Sequence, residues 1–222
     1  MNRHSRTARC VPNTCPDRLG LGIPGGTMTA RDDHRRETQE KVLLAAEELF
    51  AARGFKGTTI RDISHQTGMS VGAVMSVGDK SALLVTIFDR KIGKIHAHRR
   101  EDVTATHETE DPVDRIMNLI LPFVEVFTEH PDLSREYGAV LMGGSHASAV
   151  FDDLGGHLLA EIETAVVAAG VTGPEAAVSA RTIYLSYLGL IFVWAGRGAV
   201  DDDNFAANLH AIVSFIIERK GN

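Results

Sequence analysis

One stretch, Thr58 to Lys80 (TTIRDISHQTGMSVGAVMSVGDK), restricts what this chain can fold into more than any other. Thr59 is followed three residues later by Asp62, the spacing of a capping box, in which hydroxyl and carboxylate satisfy the unpaired amides of a new helix. Ile60 and Ile63 give that helix an apolar side, and Ser64 is small enough for a second helix to cross close by. Gly68 supplies a residue tolerant of positive φ for a tight turn. Ser70 can then cap a second short helix, whose Val71, Val74 and Val77 recur every three residues. Two short helices joined by a glycine-containing turn are therefore predicted. This is a helix-turn-helix, the unit that lays its second helix in the DNA major groove.

Helical periodicity continues on both sides. A long helix capped by Asp33 or a neighbour is expected to run to about Arg53, with Val42, Ala45, Ala46, Leu49 and Phe50 on one face. Gly54 should end it, and Phe55 should fold back on the core. Asp79 is placed to cap a further helix, with Leu83, Leu84, Ile87 and Phe88 on a stripe that persists toward Ile95. Asp111-Pro112 has the cap-plus-first-turn pattern of a helix start, and Pro122 inside that helix predicts a kink or a division. A short helix is predicted over 132–144 and another from Phe151 to Ala169. Pro174 to about Gly196 is almost without charge, so that helix is expected to be buried on most sides. A last one covers Asn204 to Arg219. No stretch alternates convincingly as a strand, and an all-α fold is predicted.

The charge is −6 overall but unevenly placed. Residues 31–100 carry thirteen Lys and Arg against nine Asp and Glu, whereas residues 101–222 carry six against nineteen. Positive charge thus lies with the helix-turn-helix, where a phosphate backbone needs it. Residues 1–30 lack a periodic apolar face and read as a disordered leader, with translation starting at Met28 as one hypothesis and a basic arm through Arg3, Arg6 and Arg9 as a lesser one. Both cysteines, Cys10 and Cys15, fall there without a second ligand pair, so neither a structural disulfide nor a metal or other cofactor is expected. No apolar run of membrane-span length stands out, and a soluble, cytoplasmic protein is expected.

Gly54-Phe55, Thr58-Thr59-Ile60-Arg61-Asp62-Ile63, Gly68-Met69-Ser70 and Lys80 ahead of Ser-Ala-Leu-Leu resemble the N-terminal domain of tetracycline-repressor (TetR) type regulators, over roughly Arg35 to Arg90. Met75-Ser76-Val77-Gly78-Asp79-Lys80 departs from the family. It lacks the aromatic pair usual near the end of the recognition helix and is one residue shorter. The aromatic hydroxyls that contact phosphate are thereby lost, with Val77 left as an apolar anchor. The resemblance implies a DNA-binding head over 31–79 and a larger effector-binding and dimerisation body over 80–222. It implies a homodimer on an inverted-repeat, double-stranded operator, acting as a repressor released by a small hydrophobic or aromatic effector.

Within that frame Arg35, Arg36, Lys56, Thr59 and Lys80 are candidates for phosphate, and Arg61 for phosphate or base. Ser70, Val71, Gly72, Met75 and Ser76 are candidates for the base edges. The recognition helix has no Asn, Gln or Arg, which directs attention to thymine methyl contacts and DNA shape. Candidate effector-pocket residues are Met117, Phe123, Phe127, Tyr137, Met142, His146, Tyr184, Tyr187 and Trp194; ordinary core packing is an equal reading for each Met or aromatic. Candidate dimer-interface residues are Leu185, Gly189, Phe192, Phe205, Leu209, Ile212, Val213 and Ile216. No nucleophile elbow, P-loop or zinc-protease helix is present, so no enzymatic activity is expected. The rival reading is a dimeric ligand- or partner-binding protein with weakened or lost DNA binding, which the shortened recognition helix favours.

Overall fold

Nine helices and no strand make up the described residues of the computed structural model, which are 30–101, 111–144, 146–148, 153–197 and 202–219. They are α1 (Ala30–Arg53), α2 (Ile60–Thr67), α3 (Val71–Val77), α4 (Lys80–Glu101), α5 (Pro112–Thr128), α6 (Pro131–Met142), α7 (Gly155–Ala168), α8 (Pro174–Arg197) and α9 (Asp202–Glu218). The expected leader, Ala30 apart, and both cysteines lie outside the described residues. Asp33 does not cap α1. The helix already includes Ala30, which puts Asp32 and Asp33 in its first turn, where carboxylates complement the positive end of the helix dipole. The described part of α7 begins at Gly155 rather than Phe151.

Helices α1, α2 and α3 pack together, and α1 also lies against α4. Val42, Ala46 and Phe50 of α1, Ile63 of α2, Val74 of α3 and Leu83, Leu84 and Phe88 of α4 are all buried. Each large apolar side chain so placed contributes about 1.5–3 kcal/mol. Arg90 to Glu40 (2.6 Å) and Lys91 to Glu47 (3.2 Å) pair α4 with α1 at the surface. Beyond α4, α5 packs against α7 and α9, α7 against α8, and α6 against α4 and α8.

Pro122 does not divide α5, which runs unbroken from Pro112 to Thr128. A proline removes the N–H that the carbonyl four residues back would accept and crowds that turn. Here Arg99 of α4 covers the freed acceptor: its guanidinium donates to the Asn118 carbonyl at 3.5 Å, and closely to the adjacent carbonyl of Leu119. The same group pairs with Glu161 of α7 at 2.7 Å and lies 4.9 Å from the centre of the Phe123 ring. Arg99 therefore joins three helices at the one turn where α5 is weakest.

Helix α8 is less buried than its composition led us to expect. Leu185 is 57% exposed and Phe192 45%, with Val178 and Val193 on the same outer side. Over Pro174–Gly196 it is long and apolar enough to cross a membrane by length and composition. In this fold it packs against α5, α6, α7 and α9.

Candidate nucleic-acid interface and ligand cavity

The helix-turn-helix forms as its caps dictate. The Thr59 amide donates to Asp62 Oδ2 at 2.8 Å, and the Asp62 amide donates back to Thr59 Oγ1 at 3.2 Å. The Thr59 hydroxyl and then its amide hold the Asp62 carboxyl below the usual carboxylate range. Gly68 takes φ 69°, a left-handed turn that a side chain would strain, and Ser64 Oγ donates across it to the Met69 carbonyl at 2.6 Å. Ser70 Oγ accepts from the Ala73 amide at 3.2 Å and starts α3. Only Gly78 and Asp79 separate α3 from α4, whose axes bend by 49° across them. Space is tight at Gly78: a Cβ on it would lie 3.0 Å from that of Ala82. Asp79 Oδ1 accepts from the Ala82 amide at 2.8 Å, as a cap of α4 should.

The candidate DNA-contacting residues divide by what they already touch. Val71 (43% exposed), Gly72 and Met75 (47%) present an apolar outer side on α3, and Arg61 is exposed on α2. Arg35 and Arg36 are exposed on the first turns of α1. Ser70 is occupied by its cap, and Ser76 donates to the Ala73 carbonyl at 2.7 Å. Thr59 donates its hydroxyl hydrogen to Asp62 at 2.6 Å. Lys56 pairs with Glu136 of α6 at 2.9 Å. Lys80 departs furthest from the phosphate role expected of it: its ammonium donates to the carbonyls of Phe55 (3.0 Å) and Thr58 (3.1 Å) and lies 4.2 Å from the centre of the Phe55 ring. Lys80 thus folds under the α1–α2 turn and holds α4 to it.

In the body, a cavity of about 350 Å³ lies between α6 and α8. Of the candidate pocket residues, Phe127, Tyr137 and Met142 line it; Leu141, Leu188 and Phe192, not singled out for a pocket, line it as well. Tyr137 stacks on Phe88 of α4, ring centres 4.4 Å apart and planes 13° from parallel. Its hydroxyl lies 3.1 Å from Ser148 Oγ, which donates to Asp89 of α4 at 2.6 Å. Burial above all pushes the Tyr137 phenol up, so it remains a hydrogen-bond donor. A second space, about 30 Å³, is lined by Phe123, Phe127, Tyr184 and Tyr187 together with His96, which sequence reasoning did not select.

Three candidates lie elsewhere. Met117 and Trp194 are buried core residues that line neither space. His146 is at the head: its Nε2 is 3.1 Å from Asp79 Oδ1. The dimer candidates also separate. Phe205, Leu209 and Val213 are buried within the chain because α9 closes the core against α5 and α8; Leu185, Gly189 and Phe192 remain outside, with Ile212 and Ile216 half-buried.

A capped helix-turn-helix carried on a helical body with an apolar cavity defines the class: a DNA-binding helix-turn-helix protein. A family profile described as bacterial regulatory proteins, tetR family, matches residues 42–76. The HTH-type transcriptional regulator TtgR of Pseudomonas putida is 29% identical over 97 residues. That match spans 44% of this chain and 44% of the relative, less than half the length of either. In overall fold the chain is similar to a TetR transcriptional regulator from Rhodococcus sp. RHA1 (TM-score 0.56, 17% identity, 82% of this chain and 96% of that one). It is likewise similar to Mycobacterium smegmatis BioQ (TM-score 0.54, 19% identity, 81% and 98%). Residues 42–76 therefore carry a TetR-type DNA-binding segment, and the whole fold resembles that of solved TetR regulators.

Proposed function

We propose that this protein is a non-catalytic, cytoplasmic transcriptional repressor that binds an inverted-repeat operator as a homodimer and leaves it when a small hydrophobic or aromatic effector enters the α6–α8 cavity. The head over 31–79 reads DNA, and the body over 80–222 pairs and senses. The observation that carries this reading is the exposed face of α3, set on a capped helix-turn-helix with Arg35, Arg36 and Arg61 exposed on the neighbouring helices. The outer stripe of α8, Val178, Leu185 and Phe192, supports pairing across a twofold axis, since an apolar helix face left in water is what a second copy covers. Tyr137 supports the link between sites. It lines the cavity and rests on α4, so an effector that moves it tilts the helix bearing the head. Any such effector is weakened by DNA as much as it weakens DNA binding.

A gel-shift titration over the protein's own upstream DNA, repeated across salt concentrations, tests the reading. Binding that prefers one inverted repeat and falls steeply with salt supports it. Absence of sequence preference at every salt concentration would favour a partner-binding protein without DNA binding, to which the uncharged seven-residue α3 lends some support.

A further inference from the structure

His96 is 3% exposed, and neither ring nitrogen has a hydrogen-bond partner. A buried polar group in that condition is costly, and native structures normally satisfy it with water or a ligand. The nearest charged group is the Glu161 carboxylate, 3.7 Å from Nδ1, which is too long for a hydrogen bond. Arg99 already pairs with that carboxylate at 2.7 Å. In the tautomer that carries its hydrogen on Nδ1, the nitrogen facing Glu161, Nε2 is an acceptor.

His96 lines the space of about 30 Å³, room for one water-sized group. Tyr184 and Tyr187 line it too, and burial pushes both phenols up, which keeps them as donors. Phe127 and Leu188 line both this space and the 350 Å³ cavity, so the two adjoin. We propose that the effector is an apolar molecule ending in a hydroxyl, and that His96 accepts that hydroxyl's hydrogen. The inference rests on the effector reading above and adds the chemistry of the ligand's polar end.

Calorimetric titration of the full-length protein with 4-butylphenol, 4-butylanisole and butylbenzene tests it. The three share an apolar body; the first donates and accepts, the second only accepts, the third does neither. Butylphenol should bind about tenfold or more tighter than the other two, the usual consequence of leaving a buried acceptor unpaired. In a His96→Phe variant its affinity should fall to that of butylbenzene, which itself should still bind. Should that variant not fold, the imidazole nitrogen signals of His96 in the wild-type protein should move with butylphenol and stay with butylanisole. Equal affinity for phenol and butylbenzene, equal affinity for phenol and anisole, or a preference that survives His96→Phe overturns the proposal while leaving the cavity a ligand site. No binding by any of the three overturns the proposal and the effector cavity together.

Discussion

His146 Nε2 lies 3.1 Å from Asp79 Oδ1, so the segment after α6 touches the carboxylate that caps α4. Lys56 to Glu136 makes a second tie between the head and the α6 region. Exposed pairs of this kind contribute about 0–1 kcal/mol each. A His146→Ala, Glu136→Ala double variant should therefore melt within a few degrees of wild type. Hydrogen exchange of the α2 and α3 amides should nonetheless speed up, because the head loses both of these side-chain ties to the α6 region. Unchanged exchange over residues 60–77 would show that these contacts restrain nothing.

Lys80 and Arg61 should fail differently. Lys80→Met leaves the Phe55 and Thr58 carbonyls without their donor and should cost about 1–3 kcal/mol of stability. It should leave the slope of operator affinity against log salt as it was. Arg61→Ala should leave the melting temperature close to wild type and, if the guanidinium meets a phosphate, lower that slope by about one. Chemical denaturation and salt-series gel shifts on both variants distinguish the two roles.

The arrangement at Pro122 predicts a coupled pair. Arg99→Ala uncovers the carbonyls of Asn118 and Leu119 and strips Glu161 of its guanidinium, at a cost of about 2–3 kcal/mol. Pro122→Ala restores the missing amide and, placed in the Arg99→Ala background, should recover about 1 kcal/mol. In the wild-type background it should do little for these acceptors. Additive effects in a double-mutant cycle by urea unfolding would mean that Arg99 does not serve the proline turn.

Little of that was legible in the sequence, and the reason is distance along the chain. Thr59 with Asp62, Ser70 and Asp79 act on amides three residues away, so spacing alone was enough to find them. Lys80 meets partners 22 and 25 residues earlier, and His146 meets one 67 residues earlier, which no local pattern encodes. Periodicity on α9 correctly marks Phe205, Leu209 and Val213 as a buried stripe but cannot tell burial by the same chain from burial by a second copy. The pocket suffers likewise. Aromatic residues were found by type, whereas His96 became visible only once its nitrogens were seen to lack partners.

Acid should loosen the head through its caps. Asp62 is held low by the Thr59 hydroxyl and amide, and Asp79 by the Ala82 amide and then His146. A carboxyl depressed in the folded state adds stability above its unfolded value, about 3.9, and loses it as pH falls through the folded value. The loss should thus begin only below about pH 4. Circular dichroism with residue-resolved exchange between pH 5 and 2.5 should show α2 and the start of α4 fraying in that window, and Asp62→Asn should abolish the part due to α2.

With two residues at the joint between α3 and α4, there is no slack to absorb an insertion. Anyone grafting a foreign reading unit onto this sensor would have to splice inside α4 or carry Gly78 and Asp79 across intact. A spacer added at that elbow would leave the chain able to recognise its ligand and its DNA, with neither event informing the other.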